Sequence, residues 1–134
     1  MNLKSYLDQH EAVKEEIKII KSLIGSGNYE KNGRDIALHI STLAGKIKVH
    51  LSMEDKYLYP GLIEKGNADV KKMANSYQRE MGDLADEFVK YKDKYNTNPK
   101  LLQSAESIKS DTEKIFQKIE TRMQREENEL YKFI

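Results

Sequence analysis

Apolar residues recur three and four positions apart along almost the whole chain, the spacing that lines up one face of an α-helix. Leu3, Tyr6, His10, Val13, Ile17, Ile20 and Ile24 make a first stripe, which stops at Gly25-Ser26-Gly27-Asn28, a glycine-rich helix exit. A second, from about Asp35, carries Ile36, Ile40, Leu43, Ile47, His50, Glu54 and Tyr57, and Pro60-Gly61 is expected to end it. Beyond Gly66-Asn67 a third runs through Val70, Ala74, Tyr77, Met81, Leu84, Phe88 and Tyr91. The Asn96-Thr97-Asn98-Pro99 turn then opens a fourth, with Asn98 as the predicted cap and Pro99 at the first helical position. Its stripe is Leu101, Ala105, Ile108, Thr112, Ile115, Ile119, Arg122, Glu126, Leu130 and Phe133. No alternating strand pattern intervenes. Four helices joined by short connections predict an all-α fold, an antiparallel up-down-up-down four-helix bundle forming one domain over residues 1–134.

The stripes are broken chemically rather than rhythmically. His10, His50, Glu54, Arg122 and Glu126 hold core positions, and Gln78 flanks the third stripe. Antiparallel packing lets their heights be compared, because each helical residue advances the axis by about 1.5 Å. On that measure His10 and His50 lie roughly 10–12 Å from one end of the bundle, and Gln78 and Arg122 roughly 15–18 Å from it. All six are expected in one or two adjacent layers. A histidine four residues before a glutamate puts imidazole and carboxylate on one helix face, the usual means by which a bundle holds a metal. The segment His50-Leu51-Ser52-Met53-Glu54-Asp55-Lys56-Tyr57-Leu58-Tyr59 has an echo in Arg122-Met123-Gln124-Arg125-Glu126-Glu127-Asn128-Glu129-Leu130-Tyr131, with arginine replacing the leading histidine. Two buried carboxylates demand a cation between them, either a metal or the Arg122 guanidinium, whose fork can accept both.

Composition narrows the chemistry further. The 134 residues contain no cysteine, which excludes disulfides, thiolate metal sites and cysteine nucleophiles and leaves nitrogen and oxygen ligands. Lys+Arg 23 against Asp+Glu 22 gives a net charge of +1 with both signs interspersed, so no nucleic-acid stripe is expected. No apolar run suggests a membrane span, and the first residues lack the apolar core and cleavage site of a signal peptide; a cytoplasmic location is the expectation. His39 reads as a boundary or surface residue, and Lys14, Glu15, Glu16 and Lys18 as a solvated face. Tyr57, Tyr59, Tyr77 and Tyr131 read as packing aromatics, with Tyr77 able to direct its phenol toward the polar layer. No nucleophile motif or phosphate loop accompanies the glutamates, so no enzymatic activity is implied.

With these residues the chain resembles the hemerythrin-like (HHE) cation-binding domains over nearly its full length. The most specific segment is His50-Leu51-x-x-Glu54-Asp55-x-x-Leu58-Tyr59-Pro60, similar to the family's second-helix motif; Leu7-Asp8-Gln9-His10-x-x-Val13-x-x-x-Ile17 and Glu126-Glu127-x-x-Leu130-Tyr131 resemble its first- and fourth-helix segments. The resemblance implies a four-helix bundle with a non-heme di-iron site, His10 and His50 as terminal ligands of one iron and Glu54 and Glu126 as bridges. It also marks departures. Gln78 and Arg122 stand where the family has histidines on its third and fourth helices, and Met53 where many members have another. The expectation is therefore one metal, iron or another divalent ion such as zinc or manganese, on His10, His50, Glu54 and Glu126, with Gln78 as a weak candidate ligand. Dioxygen or nitric oxide at an open position would suit a sensing or stress role. The alternative is a metal-free binding or signalling module held by a buried Arg122–Glu54–Glu126 network.

Overall fold

The computed structural model describes residues 2–134, and every regular element among them is helical. Helix α1 (Leu3–Gly25) is capped by Asn2, whose side chain accepts from the Lys4 amide at 2.9 Å. The chain leaves it through Gly27, at φ +75°, a left-handed conformation that glycine adopts without strain. Helix α2 (Tyr29–Met53) starts earlier than its stripe predicts, because the Asn28 side chain caps it by accepting from the Lys31 amide at 3.1 Å. Three further elements follow as α3 (Tyr59–Lys65), α4 (Ala68–Tyr95) and α5 (Asn98–Gln103). Thr97, not Asn98, caps α5, and Pro99 is its second residue. Ser104, at φ −119° and ψ 23°, then breaks the predicted fourth helix, which resumes as α6 (Ala105–Arg125). Helix α1 packs on α2 and α6, and α4 on α2 and α6, closing a ring around the core. No helix is long and apolar enough to cross a membrane among the described residues.

Two π turns interrupt the helices, at Glu54–Leu58 after α2 and Glu126–Leu130 after α6. In each, the amide five residues ahead closes on the glutamate carbonyl: Tyr59 N–H on Glu54 O, and Tyr131 N–H on Glu126 O. A π turn takes in one more residue than an α turn, so the inward face slips forward. Tyr57 and Phe133, which the stripes place in the core, are consequently 54% and 50% exposed, whereas Leu58, Tyr59, Leu130 and Tyr131 are buried. The slip also carries the chain past Pro60. Pro60 follows directly on that wider turn, where its ring and missing N–H meet a helix already shifted off the four-residue ladder, and the helical run continues through α3 instead of ending as the sequence predicts.

The core is in two parts. A larger cluster includes Ile17, Ile20, Ile36, Ile40, Leu43, Phe88 and Phe116; a smaller, tyrosine-rich one joins Tyr6, Leu58, Tyr59, Leu62, Ala74, Tyr77, Leu130 and Tyr131. His10, His50, Glu54, Arg122 and Glu126 are all buried and belong to neither cluster.

Candidate metal centre

Each of the two histidines is held by an outer hydrogen bond that fixes its tautomer. His50 Nδ1 lies 2.6 Å from the amide oxygen of Gln9, an acceptor, so Nδ1 carries the hydrogen and Nε2 presents its lone pair. His10 Nδ1 lies 2.9 Å from a carboxylate oxygen of Glu127, with the same consequence. These outer partners come from crossed elements: Gln9 of α1 orients the histidine of α2, and Glu127 of the second π turn orients the histidine of α1. Such second-layer acceptors are the usual support of a metal-binding imidazole.

The two Nε2 atoms then face one another at 3.1 Å, with Glu126 Oε1 at 3.0 Å from His10 Nε2 and 3.5 Å from His50 Nε2. Three electron-rich atoms thus form a small buried triangle. Glu54 Oε1 stands 3.4 Å from His50 Nε2, yet both are acceptors, and this fully buried oxygen has no hydrogen-bond partner among the described residues. Its other oxygen accepts from the Tyr131 hydroxyl at 3.1 Å, and that hydroxyl also lies 3.0 Å from His10 Nε2. Burial, and then the charge of Glu126, push the Glu54 carboxyl well above the usual range. Burial acts on Glu126 in the same sense, but with a positive charge among the two Nε2 atoms its contacts with His10, His50 and Glu54 outweigh burial and hold that carboxyl low. Burial and both glutamate charges push the Tyr131 phenol up.

A divalent ion fits this donor set. Nitrogen and oxygen ligands about 2.0–2.1 Å from a common ion, at angles between a right angle and the tetrahedral one, lie about 2.9–3.4 Å from each other, close to the sides of the triangle. His10, His50 and Glu126 supply three such atoms; Glu54 stands just outside that set, its Oε1 3.4 Å from His50 Nε2.

Arg122 completes the layer on its other side. Its Nη2 donates to the Tyr59 hydroxyl at 2.9 Å and the Tyr77 carbonyl at 2.8 Å, and its guanidinium lies 4.4 Å from the centre of the Tyr77 ring. Toward the acids it makes only longer contacts, Nε to Glu126 Oε2 at 3.4 Å and Nη1 to the half-exposed Glu80 at 3.5 Å. Arg122 does not bond Glu54, so the expected fork across both glutamates is absent. Gln78 is also misplaced by the sequence reading: it is exposed, because the neighbouring Tyr77 takes the inward position in the α4 register. The Tyr77 hydroxyl donates outward to Glu129 at 2.6 Å instead of toward the cluster.

Several contributors escape the sequence reading. Tyr59 and Tyr131 are polar members of the layer as well as packing rings; the shared Leu-Tyr of the two echoing segments was the available signal. Glu16, read as part of a solvated face, is buried and tied to His39 Nδ1 at 2.8 Å and Lys46 Nζ at 3.1 Å. Spacing offered no signal for Gln9 and Glu127, since each serves a histidine of another segment.

An all-helical bundle that buries two imidazoles and two carboxylates between its helices defines the class of helical carboxylate–histidine metal proteins. Within it the chain belongs to the hemerythrin HHE cation-binding domain family, whose model matches residues 2–134. No curated protein and no solved structure matches it significantly.

Proposed function

We propose that this protein is a one-domain hemerythrin-like bundle of up-down-up-down topology that binds one divalent non-heme metal through His10, His50, Glu126 and Glu54. The observation carrying the proposal is the pair of imidazole lone pairs facing each other at 3.1 Å beside an unpartnered buried carboxylate oxygen, an arrangement that lacks only a cation. Iron is the favoured ion, and zinc or manganese would suit the same ligands. Arg122 brings a permanent positive charge to the other side of the layer, and the hydroxyls of Tyr59 and Tyr77 are already engaged by Arg122 and Glu129, which favours a mononuclear site. Bound there, the metal would offer Lewis-acid and, as iron, redox chemistry. The protein's own residues contribute the rest: Gln9 and Glu127 orient the imidazoles, Tyr131 donates to Glu54, and the two apolar clusters limit entry of water. A ligand such as dioxygen or nitric oxide, and a cytoplasmic sensing or stress role rather than catalysis, follow as parts of the same proposal.

Elemental analysis of protein purified without chelator or added metal tests it. The expected result is at most one ion per chain, lost in His50→Ala. Failure to take up iron, zinc or manganese when each is supplied would reject the proposal; two tightly held irons would reject its stoichiometry.

A further inference from the structure

Helices α2 and α4 leave an open groove of about 870 Å³ between them on the surface of the bundle. Ala44, Ile47, Leu51, Ala85, Phe88 and Val89 give it an apolar lining. The space comes from small side chains: a Cβ placed on Gly45, which also lines the groove, would touch nothing within 4 Å. The apolar surface continues onto the solvent side of α2, where Leu38 and Val49 share a helical face with Gly45 and are 61% and 57% exposed. Across the groove, Val89 of α4 is 48% exposed. Along α2 the groove runs from Ser41 to Ser52, about 16 Å or three turns.

Shape and charge together decide what covers it. The described residues form no strand and so offer no sheet edge to an extended peptide, whereas two neighbouring helices with small residues between them seat a third helix. Lys48, Lys56 and Lys92 line the groove against a single acid, Asp55. Lys92 meets its sequence neighbour Asp93 at 3.3 Å, and Lys48 and Lys56 form no ion pair among the described residues. A second copy is a poor occupant, because a symmetric pair would bring the same lysines together. We infer that the α2–α4 groove docks an amphipathic helix of a partner protein, about three to four turns long, whose apolar stripe is flanked by glutamate or aspartate. Nothing in this docking depends on an ion in the polar layer.

The probes are three synthetic peptides of about sixteen residues, with leucine, methionine or phenylalanine at i, i+3, i+4 and i+7 and glutamates beside that stripe. Each is matched by an analogue with lysines in place of the glutamates. They are titrated into the isotope-labelled full chain by nuclear magnetic resonance, and self-association of the chain is measured by sedimentation. At least one acidic peptide is expected to shift amides within 41–56 and 85–92 and to bind about tenfold or more tighter than its lysine analogue, the difference shrinking as salt rises. Lys48→Glu combined with Lys56→Glu, both exposed, should reverse that preference. Gly45→Gln suits a helix and fills the groove without changing charge, so it should weaken the acidic peptide about tenfold. No binding by any acidic peptide, equal binding of the lysine analogues or shifts confined to other faces overturns the inference. An unreversed preference in the doubly substituted chain, or wild-type binding by Gly45→Gln, does the same. Self-association that Gly45→Gln abolishes would make a second copy the occupant and overturn it as well.

Discussion

The two π turns are built alike and end in opposite electrostatic states. Each begins on a buried glutamate, closes on a tyrosine amide five residues later and sends the next Leu-Tyr pair inward. The tyrosines even exchange sides: Tyr131 donates to Glu54 of the other turn, and Tyr59 accepts from Arg122 of the other segment. Yet Glu54 is pushed toward its protonated form and Glu126 held in its charged one. The difference lies in the partners. Glu126 has both imidazoles within 3.5 Å and Arg122 behind it, while Glu54 has the Tyr131 phenol and only the His50 imidazole, at 3.4 Å. Equal backbone geometry thus leaves proton affinity to be set by the charges and contacts that other elements deliver.

The largest effect should come from removing the cation on the Glu126 side. Arg122→Leu is expected to destabilise the metal-free protein by about 3–5 kcal/mol in urea denaturation, because Glu126 loses the permanent positive charge of Arg122 beside it. Added metal should recover part of that loss, since an ion can take over the neutralisation. A loss of the same size with and without metal would show that the two turns are not linked through charge.

Next comes the outer support of the histidines. Glu127→Ala and Gln9→Ala should each weaken metal binding by about 10–100-fold in a competitive chelator titration. Unchanged affinity would remove the crossed hydrogen bonds from the account of the site.

The glutamates themselves should then separate in sign. Because the folded-state pKa of Glu54 is raised, its contribution to metal-free stability is full below the ordinary carboxylate range and is lost as pH rises through the raised value. Glu126, held low, contributes above that range and loses its contribution only as pH falls through the lowered value. Denaturation of metal-free protein at about pH 5 and pH 8 should therefore show Glu54→Gln neutral or stabilising at the higher pH, by about 1 kcal/mol, and Glu126→Gln destabilising. The same sign for both would collapse the comparison. The smallest effect tests the slip of the helical face: Tyr57→Ser should change stability by no more than about 0.5 kcal/mol, as an exposed site does. A loss of core size would return Tyr57 to the interior and contradict the π turn.

Much of this was legible in the chain. The helical spacing gave the all-helical fold, and the polar interruptions of the stripes led to His10, His50, Glu54, Arg122 and Glu126 in one layer. The errors cluster where a pattern of fixed period cannot register a change of pitch or of neighbour. Tyr57, Pro60 and Phe133 were misread because the π turns shift the face by one residue. Gln78 was misread because a site near the edge of a stripe is decided by which adjacent side chain turns inward, and Tyr77 does. Glu16 and His39 pair across α1 and α2, and Gln9 and Glu127 act across segments; such partners exist only once the helices have packed.

The position of the polar layer between two apolar clusters bears finally on how the protein opens. The tyrosine-rich cluster gathers the start of α1 with the segments that follow α2 and α6, and its connection to the larger core passes through His10, His50 and the two glutamates. In amide exchange it should behave as a separate cooperative unit, with Tyr59 and Tyr131 exchanging through a partial opening that spares Ile20 and Ile40. An ion held in the layer would fasten the two units together. Metal loading should then slow exchange around both tyrosines most, making the protection of one end of the molecule a measure of the ion it carries.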